Sequence, residues 1–255
     1  MQIKFIGTGA ADWDWSRPLD ELRRGSCCTL LDNVVLIDAG KTALESLNRS
    51  QVDLSSIQAI VLTHSHSDHF NLEAVKTIAA APRSQKLQFF AAAETVELLD
   101  DCVEKHILHQ GSKFSIGNLN FTALPSNHMV ENPYEETFNY LIETAAGKRL
   151  FYNLDSAWIT TRARHLLRGT PLDMIIWDAT TGTTFCDWRF AEHNDLEMIR
   201  IMRRAMLKAE MITPDTVHIF DHIARTLWPA DPAEQLAAAR QYQGIMAQDG
   251  MTLEL

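Results

Sequence analysis

The sequence has little of what marks membrane-bound or disulfide-stabilised proteins. It contains four cysteines in 255 residues, none of them in a CxxC pair, so neither a zinc knuckle nor a disulfide framework is indicated. No apolar run approaches the roughly 20 residues that a membrane span needs. The first residues also lack the charged-then-apolar layout of a signal peptide. We therefore expect a reduced, cytoplasmic protein with no membrane partner.

Positive charge is also scarce. The chain has 23 Lys and Arg against 33 Asp and Glu, a formal net charge of −10. Because nucleic-acid binding relies on cations that neutralise phosphates, RNA is not expected as a partner. A local cationic site such as a metal cluster can still hold a small anionic substrate. With 46% hydrophobic residues and no repeat, linker or low-complexity segment, the sequence predicts a single domain, residues 1–255.

Predicted strands fall into two groups along the chain, each followed by helices. Asp32-Asn33 lies between two apolar runs, which is typical of a tight hairpin. Apolar residues at a helical period predict a helix over 95–108, and another helix is predicted over 232–247. This order of elements indicates an α/β fold of two sheets with helices packed outside.

The densest chemical signal is the run Thr63-His64-Ser65-His66-Ser67-Asp68-His69, directly after an apolar strand at residues 58–62. A strand that continues through the run sends alternate side chains to one side, whereas a turn lets Asp68 and His69 converge. Imidazole and carboxylate ligands suit zinc, manganese or iron, and an Asp among histidines can serve a second ion. The alternative, a surface histidine cluster, fits poorly with four ligand-type residues in six. The run therefore predicts a metal site.

Isolated ligand-type residues follow three later strands: His128, Asp155 and His222. Each alone is more often a cap or a hydrogen-bonded polar group than a metal ligand. Together they supply the ligands that the dense run lacks for a site with two ions.

These residues resemble the metallo-β-lactamase superfamily. Residues 63–69 match its HxHxDH signature, and His128, Asp155 and His222 match its three later ligand motifs in order. Within the superfamily the chain looks most like the branch of phosphoribosyl cyclic phosphodiesterase and the tRNA 3′-processing endonucleases. Short matches carry this likeness: Pro125–His128, Tyr140–Ala145, Leu154–Ser156, Glu192–Leu196, Asp221–Ile223 and Asp249–Met251. The cysteine-rich zinc site of the former and the tRNA-gripping arm of the latter have no counterpart here.

The resemblance implies the metallo-β-lactamase fold, a four-layer αββα sandwich with two mixed β-sheets and helices outside. It also implies two divalent ions, zinc or manganese, bridged by a hydroxide that attacks a small or cyclic phosphodiester. It assigns His64, His66 and His128 to one ion and Asp68, His69 and His222 to the other, with Asp155 between them.

The resemblance makes His193 the general acid and counts Asp68 with it as catalytic. His193 precedes the helix-start pattern Asn194-Asp195, where the helix dipole lowers the pKa of an imidazole, so neighbouring carboxylates must offset that effect. The alternative is a capping or surface histidine. Asp38 is expected to orient the metal loop by hydrogen bonds.

Two other functions remain compatible with the same ligands. One is a different hydrolase, such as a lactonase, thioesterase or β-lactamase, and the other is a non-catalytic metal-binding protein. A homodimer is also left open.

Overall fold

The chain folds into two units, each built on one seven-stranded mixed sheet, and the computed structural model describes residues 1–255. The first unit contains Met1–His109, Val130–Glu136 and Gln248–Glu254. The second contains Gln110–Met129 and Thr137–Ala247, with Leu255. None of the helices combines the length and the apolar composition that a bilayer crossing requires. The single domain over residues 1–255 stays a prediction.

The sheet of the first unit is antiparallel on one side and parallel on the other. Its order is β14-β1-β2-β3-β4-β5-β6, and the pairs from β3 to β6 are parallel. Its strands are β1 (Gln2–Gly7), β2 (Cys28–Leu31), β3 (Val35–Ile37), β4 (Ala59–Val61), β5 (Leu87–Ala91), β6 (Val103–Ile107) and β14 (Thr252–Glu254).

Helices α1 (Ala43–Arg49), α2 (Leu72–Ala80) and α3 (Ala93–Val96) belong to the first unit. Helix α2 starts at an N-cap, Asn71, whose side chain accepts a hydrogen bond from the Ala74 amide. Its buried face joins the strands in one apolar core. This core includes Ile6, Leu30, Leu36, Leu47, Ile60, Val75, Ile78 and Phe89.

The second unit repeats this plan. Its sheet order is β13-β12-β11-β10-β9-β8-β7, and the pairs from β10 to β13 are parallel. Its strands are β7 (Lys113–Ile116), β8 (Leu119–Pro125), β9 (Phe138–Thr144), β10 (Arg149–Asn153), β11 (Leu172–Asp178), β12 (Ile212–Asp221) and β13 (Ile245–Met246).

Helices α4 (Thr161–Leu166), α5 (Leu196–Lys208) and α6 (Pro232–Gln241) belong to the second unit. The apolar side of α5 packs into a core that includes Phe151, Ile175, Trp177 and Phe220. Helix α5 begins after Asp195, whose carboxylate accepts from the Met198 amide at 2.7 Å, as the Asn194-Asp195 pattern indicated.

The predicted helix over residues 95–108 is wrong. Helix α3 ends at Val96, and the Asp100 carboxylate accepts from the Cys102 amide at 3.0 Å in a turn. The chain then enters β6, which pairs in parallel with β5 at the edge of the sheet. The helix predicted over 232–247 is likewise too long, because α6 ends at Gln241 and a short strand follows.

Candidate metal and catalytic site

The loop after β4 carries the histidine run, and Asp38 fixes that loop from the end of β3. Strands β3 and β4 are parallel and in register, Ile37 opposite Val61, so Asp38 and Thr63 meet just beyond their carboxyl ends. The Thr63 amide and hydroxyl both donate to the fully buried Asp38 carboxylate, the amide at 2.8 Å. Burial raises the pKa of Asp38, and these donors together with His69 oppose that shift.

The predicted ligands of the first unit converge in this loop. Turn hydrogen bonds run from the His69 and Phe70 amides to the His66 carbonyl, so the run forms a turn rather than a continued strand. His64 Nε2 lies 3.1 Å from His66 Nδ1, and His69 Nε2 lies 3.6 Å from Asp68 Oδ2. The turn thus brings together the ligand atoms that the sequence predicted.

Asp38 sets which nitrogen of His69 faces the other ligands. His69 Nδ1 lies 2.8 Å from Asp38 Oδ2, and both side chains are fully buried. A carboxylate on Nδ1 holds the proton there and leaves Nε2 with its lone pair, the state that a metal ion requires. These contacts agree with the expectation that Asp38 orients this loop by hydrogen bonds, and its effect on metal binding stays a prediction.

Strand ends also place the ligand-type residues of the second unit. Parallel register sets Asn153 beside Trp177 and Trp177 beside Phe220. The residues that follow each strand therefore emerge at one edge of the sheet, as carboxyl ends do in open parallel sheets. The ligand atoms of Asp155, Asp178, His193 and His222 all lie within 4.8 Å of one another.

A buried carboxylate and hydroxyl orient the two histidines of this cluster. His193 Nδ1 lies 2.8 Å from Asp178 Oδ2 and 3.3 Å from Asp155 Oδ1. His222 Nδ1 lies 2.7 Å from the Thr180 hydroxyl, which itself donates to Asp178 at 2.7 Å. The two imidazole rings stack with centroids 5.7 Å apart. Both rings thus place Nδ1 against an oxygen atom that can accept its proton.

Without bound metal ions, the charges around His193 keep its imidazole protonated at neutral pH. Burial lowers the pKa of its imidazole, but Asp178 first, then Asp155 and Glu192, more than offset this and raise the pKa to about 9. The carboxylates that the sequence argument required at this helix start are therefore present. A surface or capping role, the alternative, does not fit a side chain that is 12% exposed between two carboxylates.

His128 lies in the same unit, after β8. Its Nδ1 is 3.2 Å from Glu192 Oε2, and its ring centroid is 5.0 Å from that of His193. The Ser126 hydroxyl donates to the Asp155 carbonyl at 2.6 Å and accepts from the His128 amide at 3.1 Å. This serine ties the backbone of two predicted ligands together.

Three of the site residues adopt the left-handed backbone region, which costs energy for residues other than glycine. They are Asp38 at φ 62°, Asp155 at φ 43° and His222 at φ 58°. Such conformations persist where the surrounding structure enforces them, and they concentrate at functional sites.

Sequence reasoning missed Asp178, Thr180 as an orienting group, and Glu192. Asp178 could have been found, because it ends strand β11 as Asp155 follows strand β10. Thr180 lies in a polar segment after β11, and nothing in the sequence indicates its contact with His222. Glu192 had no signal beyond its place next to His193.

The residues of both units suit a divalent ion. Paired imidazole nitrogens and carboxylate oxygens are ligands that zinc and manganese accept in proteins. The first unit brings together His64, His66, Asp68 and His69. In the second unit His222 Nδ1 lies 3.2 Å from Asp155 Oδ1, and the ring of His128 lies beside that of His193. The division of all seven between two ions stays a prediction.

Fold and site together define a metal-dependent hydrolase. The family described as "Beta-lactamase superfamily domain" matches residues 33–223, about three quarters of the chain. The chain belongs to this metallo-β-lactamase superfamily. The predicted fold class, the αββα metallo-β-lactamase fold with two mixed sheets, is thereby confirmed.

Similar proteins agree with this family. An exodeoxyribonuclease, YycJ of Bacillus anthracis, is 21% identical over 215 residues, 73% of this chain and 72% of that protein. The metallo-β-lactamase fold protein YhfI of Bacillus subtilis superposes with a TM-score of 0.74 at 14% identity, over 99% of each chain. A diphosphatase of the PhnP family superposes with a TM-score of 0.71 at 20% identity, over 99% of this chain and 96% of the other. The two structures show a shared fold.

Proposed function

We propose that this chain is a binuclear metal-dependent phosphodiesterase that hydrolyses a small or cyclic phosphodiester. The observation that carries the proposal is the His193–Asp178 pair, whose nitrogen and oxygen lie 2.8 Å apart beside Asp155. Hydrolysis of an alkyl phosphodiester expels a poor alkoxide leaving group, which needs a proton. A positioned imidazolium supplies that proton and contributes about 10²–10⁴-fold to the rate.

We infer that two divalent ions, zinc or manganese, are held by the seven predicted ligands. Ions bound there would lower the pKa of a water nucleophile and take up charge that develops on the phosphoryl oxygens. Asp155 would be shared, with the remaining ligands divided between His64, His66 and His128 on one side and Asp68, His69 and His222 on the other.

The residues of the chain define the path of the proton. Asp178 holds the His193 ring through Nδ1, so the proton on Nε2 is the one offered to the leaving oxygen. Glu192, which is not among the predicted metal ligands, adds negative potential that favours the protonated ring before reaction. Burial favours the neutral imidazole, which lowers the cost of giving the proton up. A general acid must be protonated before the reaction and must release its proton readily, and the nearby carboxylate charge and the burial of the ring serve these two needs.

The names of two similar proteins support phosphate chemistry. One is an exodeoxyribonuclease and the other a diphosphatase. Both names describe cleavage at phosphate, and neither fixes the substrate of this chain.

The experiment is hydrolysis of bis(p-nitrophenyl) phosphate and of a five-membered cyclic phosphodiester by protein loaded with manganese or zinc. His193→Ala is expected to lower kcat on the cyclic substrate by about 10²–10⁴-fold, because its leaving group is an alkoxide. Asp155→Ala is expected to lose metal and activity together. His165→Ala, on the exposed side of α4, is the matched control and keeps full activity.

Two outcomes contradict the proposal. One is metal-loaded protein that is inert to every phosphodiester. The other is turnover of lactones, thioesters or β-lactams that persists in His193→Ala, which would favour the ester- or lactam-hydrolase alternative.

A further inference from the structure

The middle of helix α5 carries a cluster of arginines, which follow His193 in the chain by two or more helical turns. Arg200, Arg203 and Arg204 line a cavity of about 250 Å³ together with Tyr242 and Gln243. Their spacing of three and four residues places the three guanidinium groups along one side of the helix. None of these residues belongs to the predicted metal or catalytic set.

Arg203 is the central member of this arginine cluster. It is half-buried, and one guanidinium N–H donates to the Tyr242 carbonyl at 2.5 Å. Burial lowers the pKa of Arg203, and no carboxylate acts to raise it. Its charge also contributes, after burial, to lowering the pKa of His218 to about 3. A half-buried guanidinium loses part of its hydration, and no carboxylate near Arg203 offsets that loss.

One carboxylate serves the whole cluster. Glu197 pairs with Arg200, whose Nε lies 2.9 Å from Oε2, and it also accepts a hydrogen bond from the Tyr242 side chain. Arg204 is exposed, and its charge acts on the same carboxylate, because it contributes with Arg200 to lowering the pKa of Glu197. Two positive charges therefore remain uncompensated in a protein whose net charge is −10.

We propose that the cavity of Arg200, Arg203, Arg204 and Tyr242 is a binding site for a phosphoryl group, carried by inorganic phosphate or by a small phosphate monoester. Guanidinium groups present planar pairs of N–H donors that match phosphate oxygens. A phosphate in the cavity supplies the negative charge that the cluster lacks. The side-chain amide of Gln243 also lines the cavity and is a neutral donor that suits a remaining phosphate oxygen.

Isothermal titration calorimetry on the metal-loaded full chain tests the site, with inorganic phosphate and ribose 5-phosphate as the two probes. We expect saturable binding that weakens as NaCl is raised. Arg203→Gln and Arg204→Gln should each weaken it by about tenfold or more, since hydrogen bonds to charged groups are strong. Tighter binding of ribose 5-phosphate than of phosphate identifies a monoester as the ligand, and equal binding identifies free phosphate.

Lys208→Ala is the matched control, because Lys208 is a cation on the same helix that does not line the cavity. Phosphate can also bind at the proposed metal centre, so inhibition of phosphodiester hydrolysis by phosphate is measured in parallel. That inhibition should be the same in wild type and in the arginine variants.

Thermal unfolding separates a ligand site from a structural one. Arg204→Gln relieves repulsion from Arg200 and Arg203 and loses attraction to Glu197, so without phosphate it should melt close to the wild-type temperature. It should then lose the rise in melting temperature that phosphate gives the wild type. Absence of saturable binding, or equal phosphate affinity in wild type, both arginine variants and Lys208→Ala, overturns the proposal.

Discussion

Replacing Asp178 with Asn removes the negative charge that contributes most to the raised pKa of His193, and it changes the size of the side chain little. Among the groups that raise the pKa of His193 to about 9, Asp178 ranks first. At about pH 7.5 a group with that pKa is ~97% protonated, whereas one with the ordinary pKa of about 6.5 is ~10% protonated. In the variant, burial still lowers the pKa of His193, while Asp155 and Glu192 still raise it. The imidazolium population should therefore fall, by up to about tenfold.

The assay is kcat/KM against pH for two phosphodiesters, one with a p-nitrophenolate leaving group and one with an alkoxide. The alkoxide needs the proton, so Asp178→Asn should lower its rate near neutral pH, by up to about tenfold. The loss on the p-nitrophenyl ester should be smaller. The alkaline limb of the profile should also move toward lower pH, which a purely structural role of Asp178 would not cause.

Asp173→Asn is the matched control for this variant. Asp173 lies on the same strand, β11, but pairs with Lys148 at 2.7 Å away from His193. Bound metal is measured in both variants, so that a loss of ligands is recognised. An Asp178→Asn enzyme with full metal content and an unchanged pH profile would refute the role assigned to this carboxylate.

Three further results are expected. Asp38→Asn removes the buried carboxylate on His69 Nδ1 and should weaken metal binding about 10–100-fold, measured by competition with a chromogenic chelator; unchanged affinity contradicts the orienting role. Removal of metal by EDTA should lower the melting temperature, and added zinc or manganese should restore it, with about 2.7 kcal/mol of stabilisation at 100 times the dissociation constant; an equal melting temperature would argue against a bound ion. In the metal-free protein the raised pKa of His193 contributes stability in full below about pH 6.5, and that contribution, at most about 3 kcal/mol, is lost as pH rises through about 9. Urea unfolding of wild type and His193→Gln across that range checks this, and parallel curves would contradict it.

The sequence was informative wherever chemistry is concentrated in a short segment. The run from His64 to His69 predicts that its side chains lie close together, because a turn of six residues keeps them within a short distance. The hairpin at Asp32-Asn33 was equally well predicted, and both residues adopt the left-handed conformation that such turns use. In both cases the determining interactions are local.

Prediction failed where distant contacts decide the outcome. Residues 95–108 have a helical period, yet the edge of β5 offers backbone hydrogen bonds to Val103–Ile107 that the period does not reveal. Strand β7, and the short strands β13 and β14 near the carboxyl terminus, were missed because each is defined by its partner strand. The role of Asp178 depends on His193, fifteen residues further along the chain.

In both units a buried aspartate orients a histidine ring through the same set of contacts. In each, a fully buried aspartate, Asp38 or Asp178, ends or follows a parallel strand and accepts both the amide and the hydroxyl of a nearby threonine. In each, the same aspartate lies 2.8 Å from the Nδ1 of a histidine, His69 or His193. The consequences differ because the surrounding residues differ. His69 lies among the predicted metal ligands, so the lone pair on its Nε2 suits a cation. His193 lies among carboxylates that raise its pKa, so its ring holds a proton in the metal-free protein. One local arrangement thus supports metal binding in the first unit and, in the proposed mechanism, acid catalysis in the second.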